Sequence, residues 1–169
     1  MKTIKVKNWS EVPANFKGIV EHVRGDKSWW LNGKYHREDG PAFEGFNGTK
    51  SWYLFGTCHR VNGPAIEYAD GTKEWWLNGN QHRIDGPAIE LADGTKEWYL
   101  NGNLHRENGP AIERANGTKL WFLNDKLHRI DGPAYELADG YKEYWINGEK
   151  VTKEAQEVLY AMYKLKGLL

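Results

Sequence analysis

The sequence predicts an all-β protein: an antiparallel meander or ribbon of about six β-hairpin repeats of 23 residues, followed by a C-terminal capping helix. The repeat is visible in one motif. HRIDGPA begins at His82 and again at His128, and related forms begin at His36, His59 and His105, each 23 residues after the last. A fixed period of roughly 20–50 residues is typical of repeat architectures. Turn signals every ~8–12 residues favour short strands over helices.

The pattern divides the chain into three segments. Residues 1–24 form an N-terminal cap segment, in which TIKVK predicts an edge strand and SEVPANF a turn or one helical turn. Residues 25–150 hold the tandem hairpin repeats, and residues 151–169 the capping helix. Lysines on an edge strand discourage pairing with another sheet. The chain is therefore expected to have different structures at its two ends.

Each repeat predicts two short strands. A stretch such as TKEWWLNG is rich in strand-forming residues and ends in Asn-Gly, a hairpin turn signal because both residues accept positive φ. A stretch such as GPAIELADG forms the second strand and ends in Asp-Gly or Asn-Gly. Between the two lies H-R-x-D-G-P, whose glycine tolerates the extended conformation that a following proline imposes.

Charged residues on either side of the A-D-G loop predict how the two strands that this loop joins are paired. In every repeat a glutamate precedes a lysine by six residues, as Glu90 precedes Lys96. A three-residue A-D-G loop sets each Glu opposite its Lys, whereas a two-residue loop sets Glu90 opposite Glu74. Opposite charges across a strand pair are favourable and like charges are not. The three-residue loop is therefore predicted, and it also sets Ala65 opposite Trp75.

The C-terminal segment changes from strand to helix periodicity. Thr152 is a plausible N-cap and Gly167 a plausible stop. An amphipathic helix between them is expected to cover the open end of the last hairpin. Its apolar positions recur at helical spacing: Ala155, Val158, Leu159, Met162 and Leu165.

Composition excludes several classes of function. Lys+Arg and Asp+Glu are both 23, so the formal net charge is zero. This balance argues against a broad surface for nucleic acid or anionic membrane. The mean hydropathy is −0.77, and no apolar run reaches membrane-spanning length. No secretory signal is visible, and the one cysteine excludes an internal disulfide, so a cytoplasmic setting is expected.

The repeated His-Arg pair admits a functional and a structural interpretation. His and Asp could form a metal or acid–base site. Alternatively, the pair connects one hairpin to the next, because an active site is needed once and a packing device at every junction. The sixth repeat, which no hairpin follows, has V-T-K-E-A-Q in place of the motif. We therefore predict a repeat-structural role, with no catalytic residue, metal or cofactor, for His36, Arg37, His59, Arg60, His82, Arg83, His105, Arg106, His128 and Arg129.

The remaining candidates are the aromatic pairs and the cysteine. Pairs such as Trp75-Trp76 could stack nucleic acid bases. Adjacent residues of a strand face opposite sides, however, so one ring of each pair is expected to pack the array. Cys58 is expected to be a spectator thiol.

The unit G-x-K-x-W-Y-x-N-G-x-x-H-R-x-D-G-P-A resembles a tandem-repeat group widespread in tailed-phage, giant-virus and some bacterial genomes, which is similar in style to MORN-type hairpin repeats. The lead-in VPANFKGIVE and the tail NGEKVTKEAQEVL also resemble the flanks of the phage versions. The resemblance implies a protein-interaction scaffold, sometimes with lipid contacts, and no shared enzymatic activity. The neutral charge of this chain argues against the lipid role.

The function expected is non-enzymatic binding of a protein partner, which would be a host defence or regulatory protein if the chain is phage-encoded. The alternative is a small-molecule or nucleotide-binding protein with ligands held between repeats. Specificity should come from the second repeat, which departs most from the consensus. Its predicted partner-binding residues are Phe55, Cys58, Val61 and Tyr68.

Overall fold

The computed structural model describes residues 1–167 as two units, the first spanning Met1–His82 and the second beginning at Arg83. Both units are meanders of antiparallel hairpins, as the sequence predicts. In the first unit the strands are β1 Thr3–Val6, β2 Gly18–His22, β3 Lys27–Leu31, β4 Lys34–Tyr35, β5 Phe43–Glu44, β6 Lys50–Ser51, β7 Tyr53–Leu54, β8 Thr57–Cys58, β9 Ile66–Glu67, β10 Lys73–Glu74, β11 Trp76–Leu77 and β12 Asn80–Gln81.

The second unit continues the pattern and ends in the one α-helix of the described residues. Its elements are β13 Ile89–Glu90, β14 Lys96–Glu97, β15 Tyr99–Leu100, β16 Asn103–Leu104, β17 Ile112–Glu113, β18 Lys119–Leu120, β19 Phe122–Leu123, β20 Lys126–Leu127, β21 Tyr135–Glu136, β22 Lys142–Ile146, β23 Glu149–Val151 and α1 Lys153–Leu165.

The main sheet of each unit runs in chain order. In the first unit it is β1-β2-β3-β5-β6-β9-β10, with β4 paired to β3, and in the second β13-β14-β17-β18-β21-β22-β23. Strands β1 and β2 are parallel, and the other pairs described within each unit are antiparallel. The predicted edge strand is therefore present, and Trp9–Glu11 forms one turn of 3₁₀-helix after it.

The predicted Glu–Lys register is confirmed. In β13 and β14, Glu90 pairs with Lys96, and in β9 and β10, Glu67 pairs with Lys73. Each loop between them has three residues and ends in a glycine of positive φ, as at Gly71 (φ 94°). The lysines also face the glutamate of the following hairpin, as Lys96 faces Glu113. Charges thus alternate along the sheet within each unit, which stabilises one register.

The second to fifth repeats each have four short strands where the sequence predicted two, whereas in the first repeat the long strand β3 is undivided. The long strand is divided at its first tryptophan, whose backbone bonds leave the main sheet: the Trp98 N–H donates to the Ala111 carbonyl at 2.8 Å, and the Trp98 carbonyl accepts from His105 at 3.0 Å. The following Asn-Gly turn closes a separate two-stranded ribbon, β15-β16. The predicted turn conformation is confirmed, because Asn101 and Gly102 both have positive φ.

The small alanine of each repeat is completely buried. The ladder of β9 and β10 ends at Ile66–Glu74, so the predicted facing of Ala65 and Trp75 is not among its pairs. Instead, the Ala65 N–H donates to the Glu74 carbonyl at 2.7 Å, and its carbonyl accepts from Trp52 at 2.8 Å. With both backbone groups bonded and no exposed surface, the site has no room for a larger side chain.

Helix α1 begins and ends as predicted but packs differently. The Thr152 hydroxyl accepts from the Ala155 N–H at 3.2 Å, and Gly167 has a φ of 64°. The helix contacts β22 of the last hairpin, as predicted, but most of its apolar positions are exposed. Buried Gln156 instead donates to the Ile130 carbonyl in the last His-Arg segment. Four of the five predicted apolar positions are exposed: Ala155, Val158, Met162 and Leu165.

Candidate functional site: the His-Arg connectors

We call residues 36–41, 59–64, 82–87, 105–110 and 128–133 the connectors. In the fifth repeat the Arg129 guanidinium carbon lies 4.1 Å from the centroid of the Trp121 ring. On its other side, a Cβ added to Gly132 would lie 2.9 Å from the same carbon. Both faces of the guanidinium are therefore covered. Three other arginines stack on the tryptophan of their own repeat in the same way: Arg37 on Trp29 at 4.0 Å, Arg60 on Trp52 at 3.7 Å and Arg106 on Trp98 at 3.8 Å.

The edges of the guanidinium are bonded as well. Arg129 Nε donates to Asp131 at 2.8 Å, and Nη1 donates to the Pro133 carbonyl and to Glu136, each at 3.2 Å. Arg83 bonds to Asp85, Pro87 and Glu90 in the same arrangement. The hydrogen bond from Arg83 lowers the pKa of the Asp85 carboxyl, and the equivalent bond from Arg37 lowers that of Asp39. Where asparagine replaces the aspartate, in the second and fourth repeats, the proline and glutamate contacts remain.

The connector histidines bond to the next hairpin. His59 Nδ1 accepts the backbone N–H of Asn78 at 3.2 Å, and His128 Nδ1 accepts that of Asn147 at 3.1 Å. Each accepting histidine lies 19 residues before the asparagine that donates to it, so the bond joins consecutive repeats. His59 Nδ1 also lies 2.9 Å from Asn78 Oδ1, so the histidine contacts both the backbone and the side chain of the turn residue. The neighbouring arginine adds a second bond across the same junction, because the backbone N–H of Arg129 donates to the Trp145 carbonyl at 3.1 Å.

Notches lie between consecutive connectors. In the first unit a notch of about 600 Å³ separates residues 37–41 from residues 59–62, with Trp52 and Leu54 also in its lining. The second unit has two such notches, of about 640 Å³ and 570 Å³, lined by Trp98 and Leu100 in one and by Trp121 and Leu123 in the other. Tyr160 of helix α1 also lines the last notch. Each of these three junctions therefore has a concave notch on the connector side.

The four predicted partner-binding residues do not form one patch. Val61 is exposed and lines the notch beside Trp52. Cys58 is instead the cross-strand partner of Tyr53, and neither residue lines that notch. Tyr68 is also absent from its lining.

Phe55 lies at the tip of the second repeat's turn. Its φ is 51°, in the left-handed region, and it is 58% exposed. Its ring lies 4.2 Å from the His36 ring. The N-terminal segment, which could have covered it, instead packs on the first turn. There the Gly33 N–H donates to the Phe16 carbonyl at 3.0 Å, and a Cβ on Gly33 would clash with the Ala14 carbonyl oxygen at 1.7 Å.

Cys58 and Tyr68 are poor candidates for reactive groups. Burial, and then the nearby Glu74 carboxylate, raise the pKa of the Cys58 thiol to about 12. The same two causes raise the pKa of the Tyr68 phenol to about 12. Both groups stay protonated at neutral pH, so neither supplies a nucleophile.

Two carboxylates that accept hydrogen bonds from aromatic side chains, Glu74 and Glu143, are not among the residues that the sequence predicted. Glu74 accepts from the Trp76 indole at 2.7 Å. Glu143 accepts from Lys150, Tyr141 and Trp145, at 2.5, 2.8 and 2.9 Å, and chiefly the Lys150 bond lowers its pKa to about 2. A signal was available, because glutamate and an aromatic residue two positions on recur in several repeats. These groups are satisfied within the fold.

Within residues 1–167, no group of three or more His, Cys, Asp or Glu side chains is placed to hold a metal ion. In the same residues no helix is long and apolar enough to cross a membrane. No protein-family model matches the chain, and no curated protein matches it.

Proposed function

We propose that this chain is a non-enzymatic repeat scaffold that binds a protein partner. The connector contacts support this proposal. The arginine faces are covered by tryptophan and glycine, and their edges are bonded to carboxylates and carbonyls. A group whose hydrogen bonds are used within the fold is a poor acid–base catalyst or metal ligand. The His-Arg pairs are therefore assigned to the junctions between repeats, and binding is assigned to residues that vary.

The observation that carries the proposal is Phe55. A bulky residue in the left-handed region costs about 1–3 kcal/mol of stability. Asparagine, which tolerates that region, stands at the same position of the neighbouring repeats, at Asn32 and Asn78. The phenylalanine is also 58% exposed, so burial does not repay the strain. An exposed aromatic retained at a cost to the fold is typical of an interface anchor.

On the sequence resemblance to MORN-like repeats of phage genomes, we extend the proposal to a host–virus setting. The partner would then be a host defence or regulatory protein, met in the host cytoplasm. This extension depends on the repeat unit and its flanks alone. Its test is the identity of the partner, captured from host lysate and identified by mass spectrometry.

Phe55→Asn tests the interface directly. The variant restores the turn residue of the neighbouring repeats, so we expect the melting temperature to stay or rise, and binding of the captured partner to weaken. Phe46→Asn is the matched control, because it removes another exposed aromatic outside the second repeat. Calorimetry decides: unchanged affinity with a lowered melting temperature for Phe55→Asn would show that Phe55 serves the fold.

A second candidate function is the binding of small molecules or nucleotides between repeats. The notches favour it, because their volumes of about 570–640 Å³ lie within the range of small-ligand sites. The two functions differ in stoichiometry. Several equivalent ligands per chain would support the notches as small-molecule sites, whereas one partner per chain supports the scaffold.

A further inference from the structure

The charges that line the two notches of the second unit differ in exposure. The arginines are mostly covered: the Arg83 and Arg106 side chains are 22% and 29% exposed. The carboxylates are not, since Asp85, Glu107 and Asp131 are 83%, 78% and 62% exposed. Arg83 and Arg106 each donate to a glutamate and a proline carbonyl. Arg83 and Arg129 also pair with one oxygen of Asp85 and of Asp131, whereas Glu107 has no arginine partner among the described ion pairs. A ligand that approaches a notch therefore meets carboxylates first.

The lining of each notch suits a long cationic side chain. One notch joins Asp85 and Glu107 to the apolar groups of Trp98 and Leu100, and the next joins Glu107 and Asp131 to Trp121 and Leu123. Lysine and arginine bury their aliphatic stems on apolar surface while the charged end reaches a carboxylate. Glu107 is shared, because it lines both notches.

The distance between notches limits the shape of the ligand. Consecutive notches are one repeat apart, which is two strand spacings or roughly 10 Å. A polyproline II helix advances about 9 Å per turn of three residues, so its side chains i and i+3 lie on one face at nearly that distance. In a β-strand, residues on one face are about 6.6 or 13 Å apart, so neither spacing matches.

We propose that the notches of the second unit bind a basic protein segment in the polyproline II conformation, with a lysine or arginine at positions i and i+3. The proposal rests on the scaffold function above and specifies the chemistry of its partner. A single chain would bind one such segment, with one cation in each notch and Glu107 between the two. Binding should weaken with added salt, because the attracting carboxylates are exposed.

The test uses the full chain and a synthetic peptide of sequence PPKPPKPP, with calorimetry at low and high salt. Expected results are 1:1 binding that weakens in high salt, and much weaker binding of PPQPPQPP and of a peptide whose two lysines are adjacent. Glu107→Gln should weaken binding about fivefold, as expected for the loss of exposed ion pairs, and Glu107→Lys should abolish it. Glu149→Gln is the matched control, since Glu149 is exposed and lies outside the notch linings, and it should bind as the unaltered chain does.

Two outcomes would overturn the proposal. One is equal binding, or none, of the lysine and glutamine peptides; the other is the same affinity for Glu107→Gln and Glu149→Gln. Circular dichroism and the melting temperature of each variant establish that it is folded. If a captured protein partner binds the Glu107→Lys variant as tightly as the unaltered chain, this assignment fails while the scaffold function stands. If no protein partner is captured at all, the scaffold function itself fails.

Discussion

The N-terminal segment and the repeats of the first unit are stabilised by different kinds of contact. Val6, Phe16 and Val20 form a buried apolar cluster, with Ile4 and Trp9 packed against it. In the second repeat the fully buried residue is an alanine, and the large rings are only partly covered. There the contacts are the Arg60–Trp52 stack and the hydrogen bonds of Arg60 and His59.

The difference indicates how a ribbon of hairpins can be stable without a continuous apolar core. In a repeat protein, each repeat contacts mainly its neighbours. The free energy of unfolding is therefore roughly a sum of contributions from the repeats and from the junctions between them. The first hairpin has no preceding repeat, and the apolar cluster takes the place of that junction. Substitutions in the two regions should therefore differ in size and in how they combine.

The largest effect is expected in the N-terminal cluster. Phe16→Ala removes a nearly fully buried ring, and losses of this kind cost about 3–5 kcal/mol. Urea unfolding followed by tryptophan fluorescence measures the change. Phe46→Ala is the matched control, since Phe46 is mostly exposed, and it should have little effect. Equal effects of the two variants would show that the cluster does not stabilise the first unit.

Arg106→Ala should cost less, about 2–3 kcal/mol, because it removes the Trp98 stack and leaves Glu113 and the Pro110 carbonyl without this donor. Arg114→Ala, in the same repeat and exposed, is the control and should change the unfolding free energy little. A loss of partner binding by Arg106→Ala at an unchanged unfolding free energy would contradict the structural assignment and favour a binding role for the connector.

Gly132→Ala should have the smallest effect, about 1–2 kcal/mol, typical of overpacking. Its Cβ would lie 2.9 Å from the Arg129 guanidinium carbon. Because the neighbour that causes the clash is a side chain, the cost should largely vanish in an Arg129→Ala background. A double-mutant cycle measured by chemical denaturation checks this coupling. An unchanged cost in that background would mean that the glycine is required for its backbone conformation.

The sequence predicted the period, the register and the turns because each has a local signal. The Glu67–Lys73 pairing follows from charges six residues apart, and the positive φ of Asn78 from the Asn-Gly pair. The break of the strand at Trp98 has no local signal, since it depends on the bond from the Trp98 N–H to the Ala111 carbonyl of another hairpin. Periodicity also could not predict that Gln156 is buried while Val158 is exposed. The face of a helix that becomes covered depends on where the helix docks, and its own sequence does not determine that position.

The candidate site was predicted less completely. The sequence indicated that the connectors join repeats, but not that four of the arginines lie between tryptophan and glycine. The signal was present: in the fifth repeat Trp121 precedes Arg129 by eight residues and Gly132 follows it by three, and the other repeats keep both spacings. A constant spacing shows that residues act together, yet only coordinates show that their side chains touch.

The central claim is that the repeats are interchangeable units stabilised at their junctions, and deletion of one whole repeat tests it most directly. Removal of residues 94–116 joins Asp93 to Gly117, which restores the Asp-Gly loop. We expect a soluble protein with the β-sheet circular dichroism of the parent and a cooperative melting transition. Deletion of residues 94–105, which breaks the period, is the matched control and should not fold. If the whole-repeat deletion is insoluble or unfolded, the junction account is contradicted.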